Sequence, residues 1–227
     1  MRESILDVGL RINIDPAIKI KVGSLHLTGC RVTESSKALR TVFDRVVDQA
    51  RKRFTDMPLG EHPVAGGIRR LFKSLGMDPA RYRPSAEALV RRALKNQDLY
   101  HINCIVDINN ICSMESLYPL GVYDRERING DVNVRLGTAQ DIYRGIGREI
   151  NIAGKLVCAD ADGAFGSPIA DSARTKITEH TRELLVLLYA PPSAEDSEVT
   201  DTLKRFADLA DAYAGAVTKT LEIRINS

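Results

Sequence analysis

The sequence predicts an α+β fold, and three observations carry that prediction. Amphipathic helical patterns dominate between residues 35 and 117, strand patterns dominate after Pro119, and the two do not alternate as they would in a βαβ protein. The apolar fraction is 44% across 227 residues, enough for a sizeable core without disulfides or a structural metal. Aromatics make up only 5% and Trp is missing, so that core must be mostly aliphatic.

Taken in order, Ile18-Lys19-Ile20-Lys21-Val22 alternates apolar and basic residues and reads as a half-buried strand. Gly23-Ser24 reads as a turn into a second short strand, Leu25-His26-Leu27. Ser35 or Ser36 can cap a helix running to about Phe54, with Leu39, Val42, Phe43, Val46, Val47 and Ala50 on one face. Pro58 to Pro63 is a loop. A short helix follows, striped by Ile68, Leu71, Phe72 and Leu75, with Gly76 just past its end. Ser85 reads as the cap of a helix over Ala86–Lys95 that exposes Arg91 and Arg92. Residues 102–117 read as a further helix.

Beyond Pro119, Val132 to Leu136 alternates with period two. Ile150-Asn151-Ile152 and Lys155 to Cys158 flank Ala153-Gly154 as a hairpin would. Gly145-Ile146-Gly147 lacks the third glycine of a dinucleotide fingerprint and reads as a sheet turn. Leu184 to Tyr189 is a continuous apolar run, the pattern of a fully buried strand. Thr200 to Tyr213 is an amphipathic helix, and Leu221, Ile223 and Ile225 alternate in a last strand that returns to the same sheet. The expected organisation is one domain over 1–227. Strands and basic helices fill 1–80, a motif-bearing core fills 81–190, and a helix and strand fill 191–227.

Composition narrows the function. The start of the chain does not resemble a signal peptide, and the longest apolar run, Leu184 to Ala190, is too short to span a bilayer; a cytoplasmic protein without membrane partners is expected. Cys30, Cys104, Cys112 and Cys158 form no Cys-x-x-Cys pair and read as small core residues. His26, His62, His101 and His180 show no ligand spacing, so neither metal nor cofactor is expected. The net charge of +2 is segregated: the first 100 residues hold 19 Lys and Arg against 11 Asp and Glu, the remainder 13 against 19. Either these are solvated helix faces, or a basic face bearing Arg51, Lys52, Arg53, Arg91 and Arg92 meets a polyanion.

Two polar clusters stand out. Asn103, Asp107 and Asn110 recur at i, i+4 and i+7, which places them on one helix face. Such residues compete with the helix backbone, so they either satisfy buried loop backbone or line a polar pocket. The second cluster, Asp171 to Thr181, leads into the buried strand and offers Ser172, Arg174, Thr175, Thr178 and Thr181. It is either a hydrogen-bonded turn or the mouth of a site.

The residues from Ile102-Asn103 through Val106-Asp107 to Asn109-Asn110, followed by Tyr118-Pro119-Leu120-Gly121-Val122-Tyr123-Asp124, resemble the tRNA-editing domain of phenylalanyl-tRNA synthetase beta subunits. Asp171 to Thr181 is similar to its archaeal and eukaryotic form, and Tyr82 to Ala88 to the entry helix of freestanding relatives. The resemblance covers roughly residues 80–190. It implies a mixed or antiparallel sheet flanked by helices, and a hydrolase acting in trans on mischarged aminoacyl-tRNA. Asn109, Asn110 and Thr178 would carry the chemistry, with Asn103, Asp107, Gly121, Asp160, Asp171, Ser172, Arg174, Thr175 and Thr181 around the substrate. Asn109 and Asn110 match a Thr-Asn of the bacterial pocket; Gly121 replaces a pocket His, Arg174 lies near a pocket Glu, and Asp160 replaces a Gly. The partners implied are tRNA, the amino-acid moiety it carries and a synthetase. Two alternatives stay open: a non-catalytic amino-acid or RNA-binding module of the same fold, and an unrelated small-molecule enzyme that reuses it.

Overall fold

The computed structural model describes residues 10–141, 144–145 and 149–226. The sheet-turn reading at Gly145-Ile146-Gly147 falls largely outside these residues. Among the described residues, eight strands form two four-stranded sheets. The first joins β1 (Ile12–Ile14), β4 (Val132–Leu136), β5 (Leu156–Asp160) and β6 (Gly163–Gly166) in that order; β1 runs parallel to β4 and the other pairs are antiparallel. The second has the order β3 (Leu120–Asp124), β7 (Leu184–Ala190), β2 (Ile20–Thr28), β8 (Val217–Asn226), antiparallel throughout. Five helices flank them: α1 (Lys37–Arg53), α2 (Pro63–Ser74), α3 (Ser85–Leu94), α4 (Cys104–Ser116) and α5 (Asp196–Ala214). The fold is α+β.

The local chemistry explains most of these elements. Ser36 caps α1 by accepting from the Leu39 amide at 3.2 Å, and Gly76 takes the left-handed backbone, φ 73°, that ends α2. Every residue of β7 is buried, as an apolar run in a central strand must be. The last strand does return to the sheet, pairing with β2.

Three expectations need correction. Gly23-Ser24 is no turn, because β2 runs unbroken through it. A Cβ at Gly23 would sit 2.6 Å from Val199 Cγ1 of α5, so this glycine lets the helix lie close on the sheet. Residues 150–152 form no strand; β5 makes its hairpin with β6 instead, and the Ala153-Gly154 turn leads into β5. Ser85 is the first helical residue of α3 and caps nothing; Pro84 occupies the cap position. Three strands, β1, β3 and β6, carry no sequence pattern that announces them.

One contiguous apolar core runs across both sheets, with Tyr123, Tyr189, Phe43, Phe72, Phe165 and Phe206 as its largest buried side chains. All four cysteines are free and buried in it. Burial pushes the Cys30 thiol up to about 11 and that of Cys158 to about 12, which removes them as thiolate nucleophiles. No helix among the described residues is long and apolar enough to cross a membrane.

Candidate functional site

Helix α4 is the centre of the site. It packs against α1, α3, α5 and β3, so most of its surface is buried. Asn103 caps it: the side chain accepts from the Val106 amide at 2.9 Å. The stripe Val106, Asn109, Asn110 and Ser113, at i, i+3, i+4 and i+7, faces a cavity of about 710 Å³. Leu120 and Val122 of β3, Ser85, Ala88, Leu89 and Arg92 of α3, and residues 32–34 after β2 form further walls. Its remaining wall is the loop between β6 and β7, through Ile169, Asp171, Lys176, Ile177, Thr178 and Glu179. The two polar clusters, some sixty residues apart in sequence, thus meet across one space.

Asp107 does not belong to that stripe. It lies wholly buried under the start of α1, where Oδ2 accepts from Ser35 Oγ at 2.6 Å and pairs with His101 Nδ1 at 2.6 Å. Its place on α4 serves the joint between two helices. The i, i+4, i+7 reading fails at Asp107 alone: Asn103, the cap, and Asn110 both line the cavity, whereas Asp107 turns to Ser35 and His101.

Most hydroxyls of the second cluster hold the loop in shape. Ser172 Oγ accepts from the Arg174 amide at 3.0 Å, Thr175 Oγ1 donates to Phe165 O at 3.4 Å, and Thr181 Oγ1 donates to Asp124 Oδ2 at 2.8 Å. Thr178 lines the cavity, yet its Oγ1 also accepts from the His180 amide at 3.3 Å. Arg174 and Asp160 form a two-pronged pair at 3.0 and 2.8 Å, joined by the Asn129 amide at 2.8 Å. Burial raises the Asp160 carboxyl, but these bonds more than offset it and hold it below the ordinary value. This pair clips the β5–β6 hairpin, away from the cavity. Ser172, Thr175 and Thr181 likewise lie outside the cavity walls.

Gly121 has a different task from lining a pocket. A Cβ there would lie 2.0 Å from the Tyr123 phenol oxygen, and one at Gly166 would lie 2.2 Å from it. The two glycines make room for that phenol, which acts on the Asp171 carboxyl. Behind it, Tyr123 and Tyr189 are 3.3 Å apart through their hydroxyls, and Tyr189 Oη lies 2.8 Å from Cys158 Sγ. Burial lifts Asp171 from 3.8 to about 7, against the lowering effect of the Tyr123 phenol and the Ser167 amide.

The B3/4 domain family model matches residues 67–207, which spans α3, α4, β3 and the β6–β7 loop. The chain belongs to the B3/4 domain family. Over 88 residues, 37% of this chain, the B3/4 domain is 33% identical to a phenylalanine–tRNA ligase beta subunit of Bartonella henselae. That match spans 11% of the relative's own length. An N-terminal fragment of the phenylalanyl-tRNA synthetase beta subunit from Pyrococcus horikoshii aligns with a TM-score of 0.48 and 11% identity, covering 99% of this chain and 53% of the fragment.

The basic residues divide. Arg51 Nε donates to Ala93 O at 3.1 Å, so the C-terminal ends of α1 and α3 lie together, with Arg91 and Arg92 beside them. Arg53 instead reaches Glu115 O at the end of α4. Arg91 is bound to the buried Glu87 at 2.8 Å, which Arg69 also holds, whereas Lys52 is exposed. Arg92 stands both at this basic corner and on the cavity rim. Among the described residues, no three His, Cys, Asp or Glu side chains cluster to hold a metal. Ser85, Ser113, Lys176 and Glu34 also line the cavity. The hydroxyl at 85 reads as a cap in sequence and Ser113 carries no motif, so only tertiary placement reveals them.

Proposed function

We propose that this B3/4 domain is a hydrolase acting in trans on mischarged aminoacyl-tRNA. Water adds to the ester carbonyl, and the bond to the ribose oxygen breaks. That oxygen takes up a proton, leaving free amino acid and intact tRNA. The observation that carries the reading is the convergence of Asn109, Asn110 and the 169–179 loop on one cavity that is aliphatic on its walls and polar at its floor. Its volume of about 710 Å³ is of the size that takes an aminoacyl group with part of the terminal adenosine. Asn110 and Thr178 orient the ester and the attacking water, so the protein's contribution is proximity and aimed dipoles. Arg92 at the rim, with Lys52 and Arg51 beyond it, supplies positive charge where the phosphates of the acceptor end would run.

A second reading, a binding module without chemistry, draws support from the Thr178 hydroxyl. That group is already engaged by the His180 amide and lies 3.5 Å from the Thr181 hydroxyl. Loss of labelled amino acid from a panel of mischarged tRNAs separates the two. Release well above the uncatalysed rate for at least one member supports the hydrolase, and binding without release supports the module.

A further inference from the structure

Five buried side-chain atoms among the described residues have no hydrogen-bond partner: Ser85 Oγ, Asp107 Oδ1, Asn109 Oδ1, Ser113 Oγ and Asp171 Oδ1. Four of these five belong to residues that line the one cavity, all but Asp107. Buried polar atoms left unpaired are costly, and several around one space point to a ligand that pairs them. The kind of ligand follows from what is missing. Asn109 Nδ2 donates to Leu120 O at 3.4 Å, which turns Oδ1 of this 9%-exposed residue the other way. The Tyr123 phenol and the Ser167 amide hold the Asp171 carboxyl down against its burial, and its Oδ1 has no partner. With Asp171 ionised, the two unpaired groups that cannot rotate into donors are both acceptors.

A carboxylate or phosphate placed against them would meet lone pairs with lone pairs. A phenol brings a single donor. A primary ammonium brings three donors and a positive charge that offsets the burial of a carboxylate. We propose that Asp171 and Asn109 form the receptor for the primary ammonium group of the ligand, with the Ser85 and Ser113 hydroxyls turning to suit. Val106, Leu120, Val122, Ile169 and Ile177 then enclose an apolar side chain. The ligand is a primary amine with an aliphatic or aromatic body, and it rests on the editing reading only for its identity as the aminoacyl end of a tRNA. Asp171 is a ligand-binding residue here, and Tyr123, seated by Gly121 and Gly166, positions it.

The probes are the amides of L-valine, L-leucine, L-phenylalanine and L-tyrosine, which keep the ammonium and a carbonyl but carry no carboxylate. Their N-acetyl forms replace the ammonium by a neutral, slightly larger amide. Calorimetry on the intact protein should find at least one amide bound about 10- to 100-fold more tightly than its N-acetyl form, and Asp171→Asn should abolish that preference. Equal binding of the two forms, binding of no amide, or a preference that survives in Asp171→Asn overturns the proposal. The wild-type comparison decides by itself if the variant does not melt like the native protein. The two readings fail separately. Selective amide binding by a protein that leaves every mischarged tRNA intact removes the hydrolase and keeps the ammonium site. Deacylation without amide preference does the reverse.

Discussion

Replacing Asp171 by Asn should change how stability depends on pH, in a direction the structure dictates. The folded protein lifts this carboxyl from 3.8 to about 7, chiefly by burial. A raised carboxyl binds its proton more tightly in the folded chain than in the unfolded one. Its contribution to stability is therefore full below about pH 4 and is lost as pH rises through about 7. The difference corresponds to about 4 kcal/mol in all, of which about 3 kcal/mol falls between pH 5 and pH 8. Both figures are upper bounds, because Arg92 and Lys176 face the same cavity, opposed by Glu34 and Glu179, and Tyr189 and Cys158 stand behind. Asparagine has nearly the same shape, keeps an oxygen for the Tyr123 and Ser167 donors, and does not titrate. Urea unfolding of both proteins at pH 5, 6, 7 and 8 is the assay. Asp171→Asn should gain on the wild type from pH 5 to pH 7 and level off by pH 8, its midpoint rising relative to wild type by up to about 1 M across the series. Parallel pH dependences for the two proteins would refute the buried carboxyl.

Further outcomes follow from the same structure. Gly121→Ala should cost about 1–3 kcal/mol, read as a Tm lowered by several degrees, because its Cβ would enter the Tyr123 phenol; a variant as stable as wild type would mean that the phenol has room elsewhere. Replacing Lys52 and Arg92 together by Glu should weaken tRNA binding for every sequence alike and flatten its salt dependence by about 0.9 per lost phosphate contact. An unchanged salt slope would place the RNA on another face. Thr178→Val should lower Tm modestly, since the His180 amide loses its acceptor; if it also slows ester release while tRNA affinity holds, the hydroxyl acts on the substrate as well.

How much of this was legible in the sequence depended on the environment of each segment. Helix α1 and strand β7 declared themselves, since one is apolar on a single face and the other is buried on both. Strand β3 did not, because Leu120-Gly121-Val122-Tyr123-Asp124 is wholly buried yet contains a glycine and an acid. Gly121 serves Tyr123, and Asp124 receives Thr181, reasons that lie in residues distant in sequence. Gly23 misled in the same way: a glycine needed for close helix approach looks like a glycine needed for a turn. At the site, motif order marked both walls, but it could not say which polar side chains turn inward. Asp107 and Asn110 are three positions apart, and only packing against α1 sends the first away from the cavity. The hydroxyls of Ser172, Thr175 and Thr181 are absorbed by loop backbone and by Asp124, a division of labour that composition does not carry.

The claim at the centre of the account is that the cavity handles the aminoacyl end while the basic corner holds the tRNA. Single-turnover deacylation by wild type and Asn110→Ala, at concentrations where both are saturated with the same mischarged tRNA, tests it directly. Asn110 sits on the cavity stripe of α4, and of the basic corner at the ends of α1 and α3 only Arg92 reaches the same cavity. Loss of one aimed hydrogen-bonding group lowers the chemical step by about 100-fold or more in a preorganised site. The account predicts a fall of that order with tRNA affinity unchanged and native melting retained. A folded Asn110→Ala protein that releases amino acid as fast as wild type would contradict it.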